Sequence, residues 1–290
     1  MDLIGLYAQV ACVWEASARK PGNVHRYRDF EDSGYVDFLV GAAAAGRALE
    51  GAGGRPVGQT VLEGVRHTRR VAGNNTNLGV LLLLAPLAKA AAAEGVRAGL
   101  PPVLDALDVA DAAAVYEAIR LAKPAGLGRV PEQDVHAEPT QALREVMALA
   151  ADRDLVARQY AGGFREVFDE GVPALLRGLE ETGSLEGAIL FCHLQLLAAH
   201  PDSLIARKRG PAEAEEASRR ARRVLDKGWP GASAGRAALD DLDAWLRAEG
   251  HARNPGTTAD LVAACLFVAL AEGSIELPPR YPWPLGPHHG

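Results

Sequence analysis

Four short segments place cations, amides or carboxylates beside a glycine or proline, each next to an expected helix end. The first runs from Glu15 to His25 and contains Lys20-Pro21-Gly22-Asn23. Proline fixes φ, and glycine admits positive φ and lets another group approach the backbone. The turn can therefore present Lys20 and His25 to an anion; it also reads as a helix stop followed by a solvated basic loop. The second segment is Gly73-Asn74-Asn75-Thr76-Asn77-Leu78-Gly79. Asn75 or Thr76 can cap the apolar helix that follows, and a helix N-terminus flanked by small residues suits a phosphate. Three asparagines exceed what one cap needs, although capping alone explains the segment.

The third segment, His200-Pro201-Asp202-Ser203-Leu204-Ile205-Ala206-Arg207-Lys208-Arg209, ends in three cations preceded by a carboxylate. If Asp202 starts a helical turn, it shares a face with Ala206 and Arg207 lies close by. A carboxylate and a guanidinium together can hold a metal–phosphate group; the bland reading is a solvated basic run. The fourth segment, Asn254-Pro255-Gly256-Thr257-Thr258-Ala259-Asp260, leads straight into an apolar helix. Thr257 or Thr258 can cap that helix, and Asp260 falls in its expected first turn, where the dipole favours a carboxylate. A weaker stretch, Gly126 to Val135, carries Glu132 and Asp134 as acceptors. The acidic run Asp29, Glu31, Asp32 suits the oxygen preference of Mg²⁺. There is no GxxxxGK[ST] loop, no strand–GxGxxG unit and no HExxH motif. A Walker-type kinase, a Rossmann dehydrogenase and a structural zinc site are thus unsupported.

These loops need a scaffold, and helical patterns dominate the chain. Helices are expected over 3–18, 35–50, 57–71, 77–93, 109–121, 139–160, 163–180, 184–199, 212–226, 234–249 and 258–272. In 109–121, Val109, Ala112, Ala113, Tyr116 and Ile119 form one apolar face. Two helices, Leu78–Ala93 and Ala259–Ala271, are apolar almost all round and belong at a centre wrapped by others. No segment alternates cleanly as a strand. The expectation is an all-α fold: a single domain of roughly ten or more helices around one or two buried central ones. Residues 1–276 would form the catalytic domain and 277–290 a Pro/Gly-rich tail.

The composition agrees. Of 290 residues, 48% are hydrophobic and 23% charged, which excludes a disordered, collagen-like or multi-span membrane chain. The net charge of −6 gives no overall field for nucleic acid or anionic lipid, so a phosphate ligand needs a local arrangement of groups. Cys12, Cys192 and Cys265 each sit in an apolar run, which suits small buried thiols in a reducing, cytoplasmic setting. The first helix lacks a basic leader, unlike a signal peptide. The apolar run Leu78–Ala93 is broken by Pro86 and Lys89; it falls short of the ~20 apolar residues of a membrane span.

Taken together, Lys20-Pro-Gly-Asn, Thr76-Asn77-Leu-Gly, Asp202-Ser-Leu-Ile-Ala-Arg207-Lys208 and Asn254-Pro-Gly-Thr-Thr-Ala-Asp260 resemble the triphosphoribosyl-dephospho-CoA synthases. These enzymes make the prosthetic-group precursor of citrate lyase and malonate decarboxylase. The resemblance implies transfer of the triphosphoribosyl group of ATP to the ribose 2′-hydroxyl of 3′-dephospho-CoA, with release of adenine. It implies an oxocarbenium-like transition state, a carboxylate near C1′, a base for the acceptor hydroxyl, and cations with Mg²⁺ for the triphosphate.

On that resemblance Asp260 stabilises the C1′ cation or activates the acceptor, with Asp202 as the alternative or as a Mg²⁺ ligand. Glu15 is a further catalytic candidate, and Asp29 and Asp260 are further metal candidates. Lys20, Arg207 and Lys208 would hold phosphates, assisted by Asn77 and the backbone at Gly79. Gly22, Asn23, His25, Asn75, Thr257 and Thr258 complete the nucleotide-binding set. Citrate-lyase members read Lys-Pro-Gly-Leu-Val-Asp where this chain has Lys20-Pro21-Gly22-Asn23-Val24-His25. The stretch from His25 to Phe30 and the Glu132-Gln133-Asp134 loop look more like a branch outside citrate-lyase systems, including organisms with tetrahydromethanopterin-linked one-carbon chemistry. Two rivals remain: another nucleotide-dependent transferase or phosphotransferase with a pterin- or nucleotide-related acceptor, and a non-catalytic nucleotide-binding helical protein. No nucleic-acid or membrane partner is expected, and a homo-oligomer is left open.

Overall fold

The computed structural model describes residues 3–72, 77–126 and 128–284. The described residues form fourteen α-helices and no β-strand: α1 (Ile4–Ser17), α2 (Tyr35–Leu49), α3 (Val57–Val71), α4 (Leu78–Ala91), α5 (Val96–Asp105), α6 (Val109–Ala122), α7 (Leu143–Ala148), α8 (Leu155–Gly162), α9 (Val172–Thr182), α10 (Leu185–Ala199), α11 (Ser203–Arg209), α12 (Pro211–Asp226), α13 (Ser233–Arg247) and α14 (Gly256–Ala271). The all-α expectation holds. The chain divides into two compact units, each described by itself.

The first unit comprises residues 1–13, 36–165 and 267–273. Its centre is α4, packed by α3, α5, α6 and α8. The helix runs through Pro86, which has no N–H to give the carbonyl of Leu82. The hydroxyl of fully buried Tyr160 on α8 donates to that carbonyl at 2.6 Å. A kink residue is thus tolerated because a side chain satisfies the orphaned acceptor.

The second unit comprises residues 14–35, 166–266 and the segment from 274 onward. Helix α10 is buried along nearly its whole length, against α9 and α12. Its first-turn N–H groups, which no helix can satisfy internally, find acceptors in the C-terminal segment: Leu185 N donates to Pro282 O and Glu186 N to Trp283 O, at 3.0 and 3.1 Å.

Several expected boundaries move. The stretch 139–160 is two helices, because Asp154 accepts from Val156 N and Ala157 N at 2.9 and 3.1 Å and caps a new start. The stretch 163–180 opens with a π-helical segment, Glu166–Gly171, before α9. Helix α5 forms despite Pro101 and Pro102, because Val96, Leu100 and Leu104 are buried. Helix α10 ends at Ala199 as expected, and the short α11 after His200-Pro201 is an addition. Among the described residues no single helix is long and apolar enough to cross a membrane.

Candidate functional site

The Lys20-Pro-Gly-Asn turn follows α1 and docks on α13. Gly22 N donates to Asp243 at 2.6 Å. Arg247 grips both oxygens of Asp243 at 2.8 and 2.9 Å and donates to Asn23 O at 2.6 Å. Gly22 has φ +72°, and a Cβ there would stand 2.7 Å from Leu246 and 3.1 Å from Pro255. Only glycine fits this position, on both backbone and space. Pro255 belongs to the fourth motif, so the first and fourth motifs touch.

Lys20 is fully buried. Its ammonium meets Glu15 Oε1 at 2.9 Å and also the carbonyls of Glu15 and Ala18. All three ammonium protons therefore have acceptors, and Lys20 is an internal strut rather than a solvated cation. Its charge still reaches its neighbours. Burial, with Arg247 and Lys20, lowers His25 to about 4. Burial and Lys20 lower His193 on α10 to about 3. Both imidazoles are neutral at pH 7. His25 Nδ1 accepts from Tyr27 N at 3.3 Å, which puts its proton on Nε2 as a donor.

Asp202 starts α11, as its sequence position implies. Oδ1 accepts from Leu204 N and Ile205 N at 2.9 and 3.1 Å. Oδ2 accepts from the N–H and hydroxyl of Thr258 at 2.7 and 2.8 Å. The carboxylate is fully buried and its four acceptor positions are filled. Burial pushes its carboxyl above the usual range, against these four bonds. Ser203 and Thr257 add a hydroxyl pair at 3.1 Å. The third and fourth motifs are thus joined by two adjacent contacts. Helix α14 begins at Gly256, two residues before expected, which puts half-buried Asp260 in its second turn. Lys208 donates to His251 O at 3.3 Å, and burial lowers its ammonium. Arg207 is exposed.

A second charge cluster went unread in the sequence. Glu186, fully buried in the first turn of α10, accepts from Arg19 Nε and Nη2, both at 3.0 Å, and from Arg26 Nη2 at 3.3 Å. Burial raises its carboxyl, but the two guanidiniums outweigh that and hold it below the usual range. Arg26 in turn stacks on Tyr27 and Trp283, at 4.7 and 5.5 Å from their ring centres. Arg19 lies within the first motif and Arg26 directly follows it, and only their pairing with a residue 167 and 160 positions away was hidden.

Against this geometry, residues 1–278 match the model of a family described as ATP:dephospho-CoA triphosphoribosyl transferase. The chain belongs to this family. A relative from Pseudomonas savastanoi pv. phaseolicola, provisionally named 2-(5''-triphosphoribosyl)-3'-dephosphocoenzyme-A synthase, is 31% identical over 69% of the chain and 62% of its own length. One from Pseudomonas syringae pv. syringae, with the same name, is also 31% identical, over the same shares. The match thus spans less than two thirds of these relatives. The crystal structure of a protein from Archaeoglobus fulgidus, provisionally named triphosphoribosyl-dephospho-CoA synthase, superposes with TM-score 0.64 at 30% identity. That match covers 81% of this chain and 99% of the other.

In this transferase-family chain the remaining candidates fall as follows. Asn77 is the N-cap residue of α4 in the first unit, buried, with its carbonyl accepting the first helical bond from Leu81 N at 2.8 Å. Gly79 lies in the first turn of α4. Asn75 and Thr76 lie outside the described residues. Asp29 accepts from Tyr35 N at 2.6 Å at the start of α2. Asp134 turns onto its own loop, accepting from Val130 N and His136 N, each at 2.9 Å. Among the described residues no three His, Cys, Asp or Glu side chains are grouped to hold a metal ion.

Proposed function

We propose that this chain transfers the triphosphoribosyl group of ATP to the ribose 2′-hydroxyl of 3′-dephospho-CoA. The observation that carries the reading is the convergence of three sequence-distant motifs in one unit. Pro255 packs on Gly22, Thr258 binds Asp202, and Thr257 binds Ser203. A scaffold needs no such meeting of glycine turns and carboxylates, whereas a site that orients two nucleotides does.

The acceptor oxygen forms a bond to C1′, and the C1′–N9 bond breaks with its electron pair leaving on adenine. The hydroxyl proton passes to a base, one proton is delivered to adenine by an acid or water, and neutral adenine leaves. On the family resemblance Asp260 suits the base or the partner of the developing cation; the carboxylate of Asp202 accepts four hydrogen bonds and that of Glu15 is paired with Lys20. His25 Nε2–H suits a neutral hydrogen bond to substrate, not the neutralisation of a phosphate. Arg207 and Lys208 suit the triphosphate.

Mg²⁺ prefers one or two carboxylates completed by phosphate oxygens and water. The resemblance gives Asp260 to such a shared ion, completed by the triphosphate and water. When bound, that ion supplies charge neutralisation to the triphosphate. We further place the protein in the cytoplasm, where buried Cys12, Cys192 and Cys265 stay reduced. Residues 1–276 would be the catalytic body, with the segment from 277 bracing α10.

Separating the nucleotide products by chromatography tests the bond that breaks. Free adenine supports glycosyl transfer. ADP without adenine would make the protein a phosphotransferase instead.

A further inference from the structure

We infer that Trp283, in the segment that follows α14, is a positioning residue for His25: its ring holds Arg26, and Arg26 and Tyr27 form the turn that orients the His25 imidazole. The inference rests on the reading above only in giving His25 a hydrogen bond to substrate.

The turn is short and closed. His25 N donates to Arg28 O at 3.0 Å and Arg28 N to His25 O at 2.8 Å. Arg26 and Tyr27 are therefore the two residues at its tip. The N–H of Tyr27 also donates to His25 Nδ1 at 3.3 Å. The path of the tip thus sets both the orientation and the tautomer of the imidazole, because the bond at one ring nitrogen decides where the proton sits on the other.

Tyr27 is 69% exposed, too open to anchor the tip by burial. Arg26 is the anchor. Its guanidinium donates to Glu186 at 3.3 Å and lies over the rings of Tyr27 and Trp283, at 4.7 and 5.5 Å from their centres. A second donation, to Ser17 O at 3.5 Å, is long.

The backbone and the side chain of Trp283 serve different ends. Its carbonyl, with that of Pro282, accepts from the first N–H groups of α10. Any residue could supply that carbonyl, so capping α10 does not call for an aromatic ring. The ring meets Arg26, and indole gives the strongest cation–π partner among side chains. The two main-chain bonds fix where that ring stands. The same helix start carries Glu186, the carboxylate that Arg26 binds. One end of α10 therefore gathers both groups that hold the turn.

The test uses the full chain with isotope-labelled nitrogen in its eight histidines. Long-range proton–nitrogen correlation spectra distinguish the two imidazole tautomers, and the signal lost in His25→Gln assigns His25. Trp283→Ala keeps the carbonyl that caps α10 and removes only the ring. Trp283→Phe keeps a π face. Thermal melts set a temperature at which every variant is folded. The wild type is expected to show His25 as the Nε2–H tautomer alone. Trp283→Ala is expected to show both tautomers. It is also expected to raise the KM of one substrate about 5-fold with kcat nearly unchanged, the loss equivalent to one cation–π contact. Trp283→Phe is expected to restore most of both. A wild-type tautomer in Trp283→Ala overturns the inference, as does a changed tautomer with both KM values unchanged. Adenine release by the wild type is read separately. If it occurs and Trp283→Ala matches the wild type in every readout, the positioning fails and the transfer stands. If the tautomer changes as expected but the wild type releases no adenine, the transfer fails and the placement of the imidazole stands.

Discussion

Asp202 and Thr258, 56 positions apart, are joined by two hydrogen bonds from one residue to one oxygen: the N–H of Thr258 reaches Asp202 Oδ2 at 2.7 Å and its hydroxyl at 2.8 Å. The other oxygen caps α11. One carboxylate therefore fixes two helix starts at once. Asp202→Asn keeps the shape but presents an amide to at least one donor. It is expected to cost about 2–3 kcal/mol, since bonds to a charged acceptor exceed neutral ones. Thr258→Val is expected to cost about 1 kcal/mol and Thr258→Ser less. Denaturant melts of the three variants check the order.

Asp260 carries the opposite expectation. Asp260→Asn is expected to lower turnover by about 10²–10⁴-fold, the usual contribution of a positioned acid–base group, with little change in Tm. Steady-state kinetics beside a thermal melt separate this from the Asp202 effect. A variant that melts early and loses activity in proportion would make Asp260 a structural residue.

Gly22→Ala is expected to cost about 1–3 kcal/mol. The added methyl must adopt positive φ and displace Leu246. Because the same turn leads into His25, activity at 25 °C should fall further than the fraction unfolded accounts for. Comparing the two quantities in one preparation checks the coupling of turn and site.

Stability should fall on the acid side. His25 is held at about 4 and His193 at about 3, against an ordinary value of 6.5. Between those values the unfolded chain binds more protons than the folded one, so unfolding becomes easier as pH drops from 6.5 toward 4. Neither histidine destabilises the fold in this way above pH 7. His193 has both ring nitrogens unpartnered. His193→Met is therefore expected to retain or raise the Tm at pH 7 and to flatten its decline down to pH 4.5. A melt series over that range reads both effects.

Arg19→Met takes one of two guanidiniums from buried Glu186 and is expected to cost about 3 kcal/mol. Adding Glu186→Leu to that variant should recover part of the loss, because the uncompensated charge goes with it. A double-mutant cycle by denaturant melts measures the recovery.

Local signals carried most of the fold. The period of Val57–Val71 is visible because its apolar face repeats within the helix. Helix α5 was invisible because Pro101 and Pro102 argue against it locally, and only burial of Leu100 and Leu104 overrides them. The motif loops were legible from Gly and Pro punctuation. What those loops hold was not. Lys20 looks like a free cation until Glu15 is seen beside it, and Asp202 looks like a catalytic acid until Thr258 fills its second oxygen. Glu186 carried no signal, since its partners Arg19 and Arg26 lie far away in the chain. Pairings across such separations leave no local period to read.

The most direct test of the proposed transfer follows the acceptor. The full chain is incubated with ATP, Mg²⁺ and 3′-dephospho-CoA, and the acceptor is weighed by mass spectrometry while adenine is quantified. A mass gain of one triphosphoribosyl unit, matched mole for mole by free adenine, is the expected result. An acceptor that gains only a phosphate, with ADP formed and no adenine, would contradict it, as would an unchanged acceptor with no adenine released.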